Sequence, residues 1–167
     1  LSVVAHKFGG TSMGTSARIR AVADILIARR GERQAVVVSA MSKVTDALIA
    51  VTKKAAARDE SWRLDATALA DKHRQVALDL LAERAGPTLE RLERELATMT
   101  ALLSAQAVLG APSDDVLDVV QGLGEVFSSL LLDAHLRDRG EATRWLDARE
   151  VLVVERTPLG AMVDWVT

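Results

Sequence analysis

Residues 3–18 read VVAHKFGGTSMGTSAR, and the reading of this stretch decides the fold. An apolar run meets one lysine, then two glycines, then two hydroxyl residues, then a segment of helical period. Val3–Phe8 is rich in β-branched residues and stops at Gly9-Gly10, which predicts a buried strand. Thr11 and Ser12, or Thr15 and Ser16, offer side-chain oxygens to cap the helix that follows. Its apolar positions Ile19, Val22, Ile25 and Leu26 recur at helical spacing until Arg29-Arg30-Gly31 stops it. Ala35–Ser39, AVVVS, is a second near-continuous apolar run of the kind found in parallel sheets. Ser42 or Thr45 then opens a helix that runs through about Arg58. Such a β-α-β-α alternation with short connections predicts an α/β fold, a parallel sheet covered by helices.

Two familiar phosphate-binding patterns fail on the opening stretch. Gly9 and Gly14 have the glycine spacing of a P-loop, but Thr15 stands where its lysine is required. GGTSMG does not supply the G-x-G-x-x-G of a dinucleotide fold. The remaining pattern still carries chemistry. Burying an unpaired ammonium is expensive, so Lys7 at a strand's carboxyl end points to the crevice where open α/β sheets bind ligands. Gly9 and Gly10 let a backbone approach an anion, and the next helix presents free N–H groups and a positive dipole end. The unit reads as an oxyanion cradle. The alternative is a tight strand–helix turn with Lys7 reaching out to solvent.

The middle of the chain changes character. Residues 61–85 and 88–109 are helical in pattern, separated at Gly86-Pro87, and predict an antiparallel hairpin. Leu89, Leu92, Leu96, Met99 and Leu103 form one stripe; Leu69, His73, Val76 and Leu80 form the other. These stripes are core or a dimer seam, and His73 on one of them reads as a packed histidine rather than a catalytic one. Val116–Arg139 is a further helix, Ala142–Leu146 a strand, VLVVE (151–155) another, with one more in the tail.

Composition narrows the function classes. The 167 residues are 49% hydrophobic and 26% charged with net charge −2, which suits one globular domain and leaves no basic footprint for nucleic acid or an anionic membrane. The absence of cysteine excludes disulfides, thiolate metal sites and cysteine nucleophiles. His6, His73 and His135 lack metal-ligand spacing, so no metal site is expected. No run reaches the roughly 18 apolar residues of a membrane span and no signal peptide opens the chain, which reads as a cytoplasmic protein.

KFGGTS (7–12), then VVVSAMSKVTDAL (36–48), then GLGEVFSS (122–129) and WLDAR (145–149) follow one another in an order that resembles the catalytic domain of the aspartokinases. The likeness runs from about Val4 to Val154. It implies the amino-acid-kinase fold, an αβα sandwich around a mainly parallel sheet, here its N-terminal portion with the helical hairpin at about 61–109. It further implies transfer of the γ-phosphoryl of Mg-ATP to the β-carboxylate of L-aspartate. That reaction is the entry step of lysine, threonine and methionine biosynthesis, with ATP and Mg2+ as cofactors. By that resemblance Lys7 lies against the transferring phosphoryl, Gly9 and Gly10 give it N–H contacts, and Thr11 and Ser12 complete the turn. Ser39 stands near the phosphates, Thr45 binds the aspartate carboxylate, and Glu125 pairs with the substrate's α-ammonium. On residues alone Glu125 also reads as an exposed glutamate in an N-terminal turn.

The sequence departs from the family pattern in places. Met13 stands for a more usual valine, a packing change, and Val126 replaces the arginine of GERLSS, which puts contacts beside Glu125 in doubt. Asp147 and Arg149 read as loop anchors rather than site residues. The family's nucleotide-binding half and regulatory domains have no counterpart here, and the chain runs from Leu1 to Thr167 without a methionine start. We therefore expect a fragment, inactive alone, whose open sheet edge favours homo-oligomers. Rival readings are a glutamate or N-acetylglutamate kinase of the same fold, or a non-catalytic amino-acid-binding or dimerisation module. A fusion to homoserine dehydrogenase is implied by general resemblance alone.

Overall fold

The computed structural model describes residues 2–157 and 160–165. Strand β1 (Val3–Phe8) leads through a glycine turn to helix α1 (Ser16–Ile27), and strand β2 (Arg33–Val38) leads to α2 (Val44–Ala56). Three long helices follow: α3 (Trp62–Leu81), α4 (Gly86–Leu109) and α5 (Asp114–Asp138). A short α6 (Ala148–Val151) precedes β3 (Val154–Thr157) and β4 (Gly160–Val163).

β1 and β2 pair in parallel, Val3 opposite Arg33 through Phe8 opposite Val38. The Ser39 amide extends the ladder by donating to the Phe8 carbonyl at 2.9 Å. Both strands therefore leave the sheet at one edge, and the loops to α1 and α2 lie side by side. Thr15 caps α1, its hydroxyl accepting from the Arg18 amide at 3.3 Å. At the other end of α1, the Gln34 side chain donates to the Leu26 and Arg29 carbonyls and so closes the return to β2.

The core sits in the helices. α5 is its centre, packed on α1, α2, α3 and α4, while α2, α3 and α4 also pack on one another. Leu48, Leu92, Leu103, Leu123, Phe127 and Leu131 are fully buried there. α3 and α4 form the antiparallel hairpin, fastened outside by the Arg74 guanidinium, whose two hydrogen bonds to Glu93 measure 2.6 and 2.7 Å. The leucine stripe of α4 faces this core: Leu92, Leu96, Met99 and Leu103 are all buried.

Five expectations need correction. β1 and β2 are not buried strands: Val3, Ala5, Lys7, Arg33, Ala35 and Val37 share one exposed face, and only the opposite face, with Phe8 and Val38, packs on the core. An apolar run reports preference for a sheet and not how many layers cover it. The hairpin bends at Ala82 (φ 49°, ψ −124°) and a 3-10 turn, Ala82–Ala85, rather than at Gly86-Pro87. Proline fits the first turn of a helix, and Gly86-Pro87 open α4 instead of breaking it. α2 starts after Lys43, held in the left-handed region at φ 65°, with no hydroxyl cap from Ser42 or Thr45. Ala142–Leu146 forms no ladder. Its polar groups are taken up by α5: Thr143 donates to Asp133 at 2.6 Å, Arg137 donates to the Thr143 carbonyl, and the Trp145 indole donates to Ser129 at 3.0 Å. The strand expected at 151–155 begins at Val154 and pairs antiparallel with β4.

Candidate active site

The site is assembled from two loops and one helix. Between β1 and α1, the Ser12 amide donates to the Gly9 carbonyl at 2.9 Å, and the Met13 amide to the carbonyls of Gly9 and Gly10 at 3.2 Å. Met13 is fully buried and plugs the turn into the core. The turn rests on the β2–α2 loop so closely that a Cβ on Gly10 would lie 3.0 Å from the Ala40 carbonyl oxygen. Gly10 is thus required by contact rather than by its backbone angle. Next to it, a Cβ on Gly14 would come 3.3 Å from the Ser42 Cβ.

Lys7 is the last-but-one residue of β1, on the exposed face. Its Nζ lies over Gly9, 3.9 Å from where a Cβ there would stand. Among the described residues no carboxylate forms an ion pair with it. α1 opens just beyond, with no acidic residue in its first turn. An exposed ammonium, a glycine turn and the positive end of α1 therefore sit at one sheet edge, the arrangement that receives an oxyanion.

α5 holds the second loop from beneath. Glu125 Oε1 accepts from the Ala40 amide at 3.1 Å, and the Ser128 hydroxyl donates to the Ser39 carbonyl at 2.8 Å. Gly124 permits this approach, since a Cβ there would fall 2.8 Å from the Ala40 Cβ. The eight residues singled out from sequence lie on neighbouring elements: Lys7 near the end of β1, Gly9, Gly10, Thr11 and Ser12 in the first loop, Ser39 at the start of the second, Thr45 in the first turn of α2, and Glu125 against Ala40. Thr11 is exposed, and Ser12, Ser39, Thr45 and Glu125 are half-buried.

Sequence reasoning missed Gly124 and Ser128. Their signal was present in GLGEVFSS, where positions 124, 125 and 128 fall on one side of a helix. His73 is absent from the site: it is fully buried, its Nδ1 is 2.7 Å from the Leu69 carbonyl, and its ring packs on Phe127 at 4.7 Å. Burial pushes its pKa down to about 4. Asp147 and Arg149 pair with each other at 2.6 Å, and Arg149 also reaches Glu95 of α4. The guanidinium holds the Asp147 carboxyl below the usual range. These contacts anchor the segment after α5 to α4.

The family profile described as "Amino acid kinase family" matches residues 2–165. The chain belongs to the amino acid kinase family. Among its relatives is the bifunctional aspartokinase/homoserine dehydrogenase 2, chloroplastic, of Arabidopsis thaliana, 41% identical over 153 residues, which are 91% of this chain and 17% of that protein. The corresponding enzyme 1 of Zea mays is 43% identical over 157 residues, 93% of this chain and 17% of its own length. The chain thus spans a small part of these relatives. Escherichia coli aspartokinase III in complex with aspartate and ADP superposes with a TM-score of 0.80 at 30% identity, over 98% of this chain and 35% of that one. The same enzyme with lysine and aspartate gives 0.84 at 28% identity, over 97% of this chain and 35% of its own. The parallel strand pair and its helices are therefore part of an amino-acid-kinase fold. No helix among the described residues is long and apolar enough to cross a membrane.

Proposed function

We propose that the protein carrying this chain transfers the γ-phosphoryl group of ATP to the β-carboxylate of L-aspartate, giving aspartyl 4-phosphate and ADP. The observation that carries the reading is the Lys7 ammonium over a Gly9-Gly10 turn that is itself pressed onto the β2–α2 loop. Support comes also from relatives named as aspartokinases and from a superposed enzyme whose structure holds aspartate and ADP.

A carboxylate oxygen attacks the γ-phosphorus in line, and the bond from that phosphorus to the β–γ bridging oxygen breaks. Little covalent help is needed; the protein must orient two anions and offset the charge spread over the transferring group. Lys7 faces that group and the bridging oxygen, the amides of Gly9 and Gly10 contact it, and Thr11 and Ser12 keep the turn's path. Ser39 lies beside the phosphates. Thr45, in the first turn of α2, receives a substrate carboxylate with help from that helix's dipole. Glu125, with one oxygen on the Ala40 amide, turns the other to the substrate's α-ammonium. Mg2+ suits this scheme as a partner of the nucleotide's phosphate oxygens and supplies further charge neutralisation there. No group of three metal-ligating side chains gathers among the described residues.

In this reading residues 1–167 are the N-terminal portion of a catalytic domain, the nucleotide base is held by chain outside it, and the protein is a cytoplasmic homo-oligomer. The reaction opens lysine, threonine and methionine biosynthesis. The test is ATP-dependent acyl-phosphate formation by the protein carrying this chain, trapped with hydroxylamine, with L-aspartate, L-glutamate and N-acetyl-L-glutamate offered separately. Turnover with aspartate that is lost in Lys7→Ala supports the proposal. Turnover with another acid moves the substrate, and no turnover from folded protein leaves a binding module.

A further inference from the structure

The β2–α2 loop is held from a second side, by a residue outside every motif discussed so far. Lys72 of α3 is half-buried, and its ammonium donates to the Ser42 carbonyl at 3.2 Å. Ser42 precedes Lys43, the left-handed residue at the start of α2, so its carbonyl lies outside that helix's ladder and needs another donor. Ser42 is also the part of the loop that meets the glycine turn: its Cβ packs at Gly14, and its Cα lies 3.8 Å from where a Cβ on Gly10 would stand. The same helix reaches the first loop. Asp79, seven residues beyond Lys72, accepts from the Ser16 hydroxyl at 3.2 Å, and Arg20 of α1 donates to the Asp79 carbonyl.

α3 thus touches the opening turns of both helices whose N-termini face the site. We infer that Lys72 is a positioning residue for phosphoryl transfer: by holding the Ser42 carbonyl it fixes the β2–α2 loop against the glycine turn, so that Ser39 and Thr45 stand in register with Lys7. The inference rests on the function proposed above. In this assignment Lys72 acts through the loop, by its bond to the Ser42 carbonyl, and not by contact with substrate or phosphate. A charged donor to a carbonyl that has no substitute is a strong tie, and losing it frees a segment whose placement decides how substrate lies.

The test compares Lys72→Met, which removes the donor, Lys72→Gln, which keeps a neutral donor, and Lys72→Arg, which keeps a charged one. Each is made in the protein carrying this chain. Amide hydrogen exchange is read without ligand, and kcat and KM are read with aspartate and Mg-ATP. We expect Lys72→Met to speed exchange across residues 42–47 by about tenfold with the rest of α2–α5 unchanged, and to raise the aspartate KM about tenfold while kcat falls less. Lys72→Arg should restore both. Unchanged exchange and KM in Lys72→Met would overturn the inference. So would a uniform loss of protection along the chain, which marks a role in stability alone. If Lys72→Met does not fold, the same two readings on Lys72→Gln decide, against Lys72→Arg as the rescued control. If the unsubstituted protein makes no acyl phosphate, the kinase reading fails, and the exchange pattern still tests whether Lys72 braces the loop.

Discussion

Within these 167 residues the helical layer and the strand pair are covered to different degrees. Leu92, Leu103, Leu123 and Phe127 in the helices are wholly out of solvent, whereas Val3 and Val37 on the outer face of the strands are 54% and 59% exposed. The buried apolar core lies among α1–α5, with Met13 of the first loop in it. The strands set direction: they are in register and parallel, so they deliver two loops to one edge. Each loop is then fixed by helices, through Met13 in the core, Glu125 and Ser128 from α5, and Lys72 from α3. In the proposed function the chemistry sits on the lightly covered region while its geometry is imposed by the densely packed one.

This contrast is open to direct attack. Phe127→Ala should cost about 3–5 kcal/mol in urea unfolding, because it opens a cavity at the centre of the helical layer and removes the ring beneath His73. A loss under about 1 kcal/mol would mean the core lies elsewhere. Lys7→Ala should cut acyl-phosphate formation on the order of 10²–10³-fold and shift the unfolding midpoint hardly at all, which separates the two regions by readout.

Acid should strike the helical layer first. Burial holds His73 at about 4 in the folded chain against 6.5 when exposed, and His135 is displaced in the same direction. The unfolded chain therefore binds these protons more tightly. Stability is whole above pH 6.5 and is lost as pH falls toward 4, by up to about 3 kcal/mol for His73 at 1.36 kcal/mol per unit. Urea midpoints across that window should fall in the parent and flatten in His73→Leu.

Two glycines of α5 give a finer test. A Cβ on Gly122 meets nothing within 4 Å, so Gly122→Ala should stabilise by about 0.5–1 kcal/mol through helix propensity. A Cβ on Gly124 meets Ala40 at 2.8 Å, so Gly124→Ala should reverse the sign, cost about 1 kcal/mol, and speed exchange of the Ala40 amide. Smallest of all, Val37→Ala on the exposed strand face should stay within about 0.5 kcal/mol.

Much of this was legible in the sequence because the signals were local. The apolar runs at 3–8 and 35–39, the Thr15 cap and the stripes of α3 and α4 state period and direction within a few residues of themselves. Coverage was not legible: whether Val37 is buried depends on what lies above the sheet. The bend at Ala82 was hidden because alanine carries no turn signal, and Gly86-Pro87 drew attention to a helix start instead. Ala142–Leu146 has the residues of a strand, but side chains on α5 reach its polar groups. The motifs named the candidate site residues; the fastenings that hold them were not readable there. Glu125 on Ala40, Ser128 on Ser39 and Lys72 on Ser42 join residues 85, 89 and 30 positions apart, distances over which periodicity says nothing.

Those three fastenings share one property. Each grips a main-chain atom of the loop: the Ala40 amide, the Ser39 carbonyl, the Ser42 carbonyl. The path of the loop is therefore largely independent of which side chains it displays. Substitutions at the half-buried Ser39 or Ser42 alter what the loop offers to a ligand while its trace is kept by α3 and α5, and by Met41 in the core. If the proposed function holds, such a loop lets substrate preference change by single replacements, because recognition and architecture are written on different atoms of the same residues.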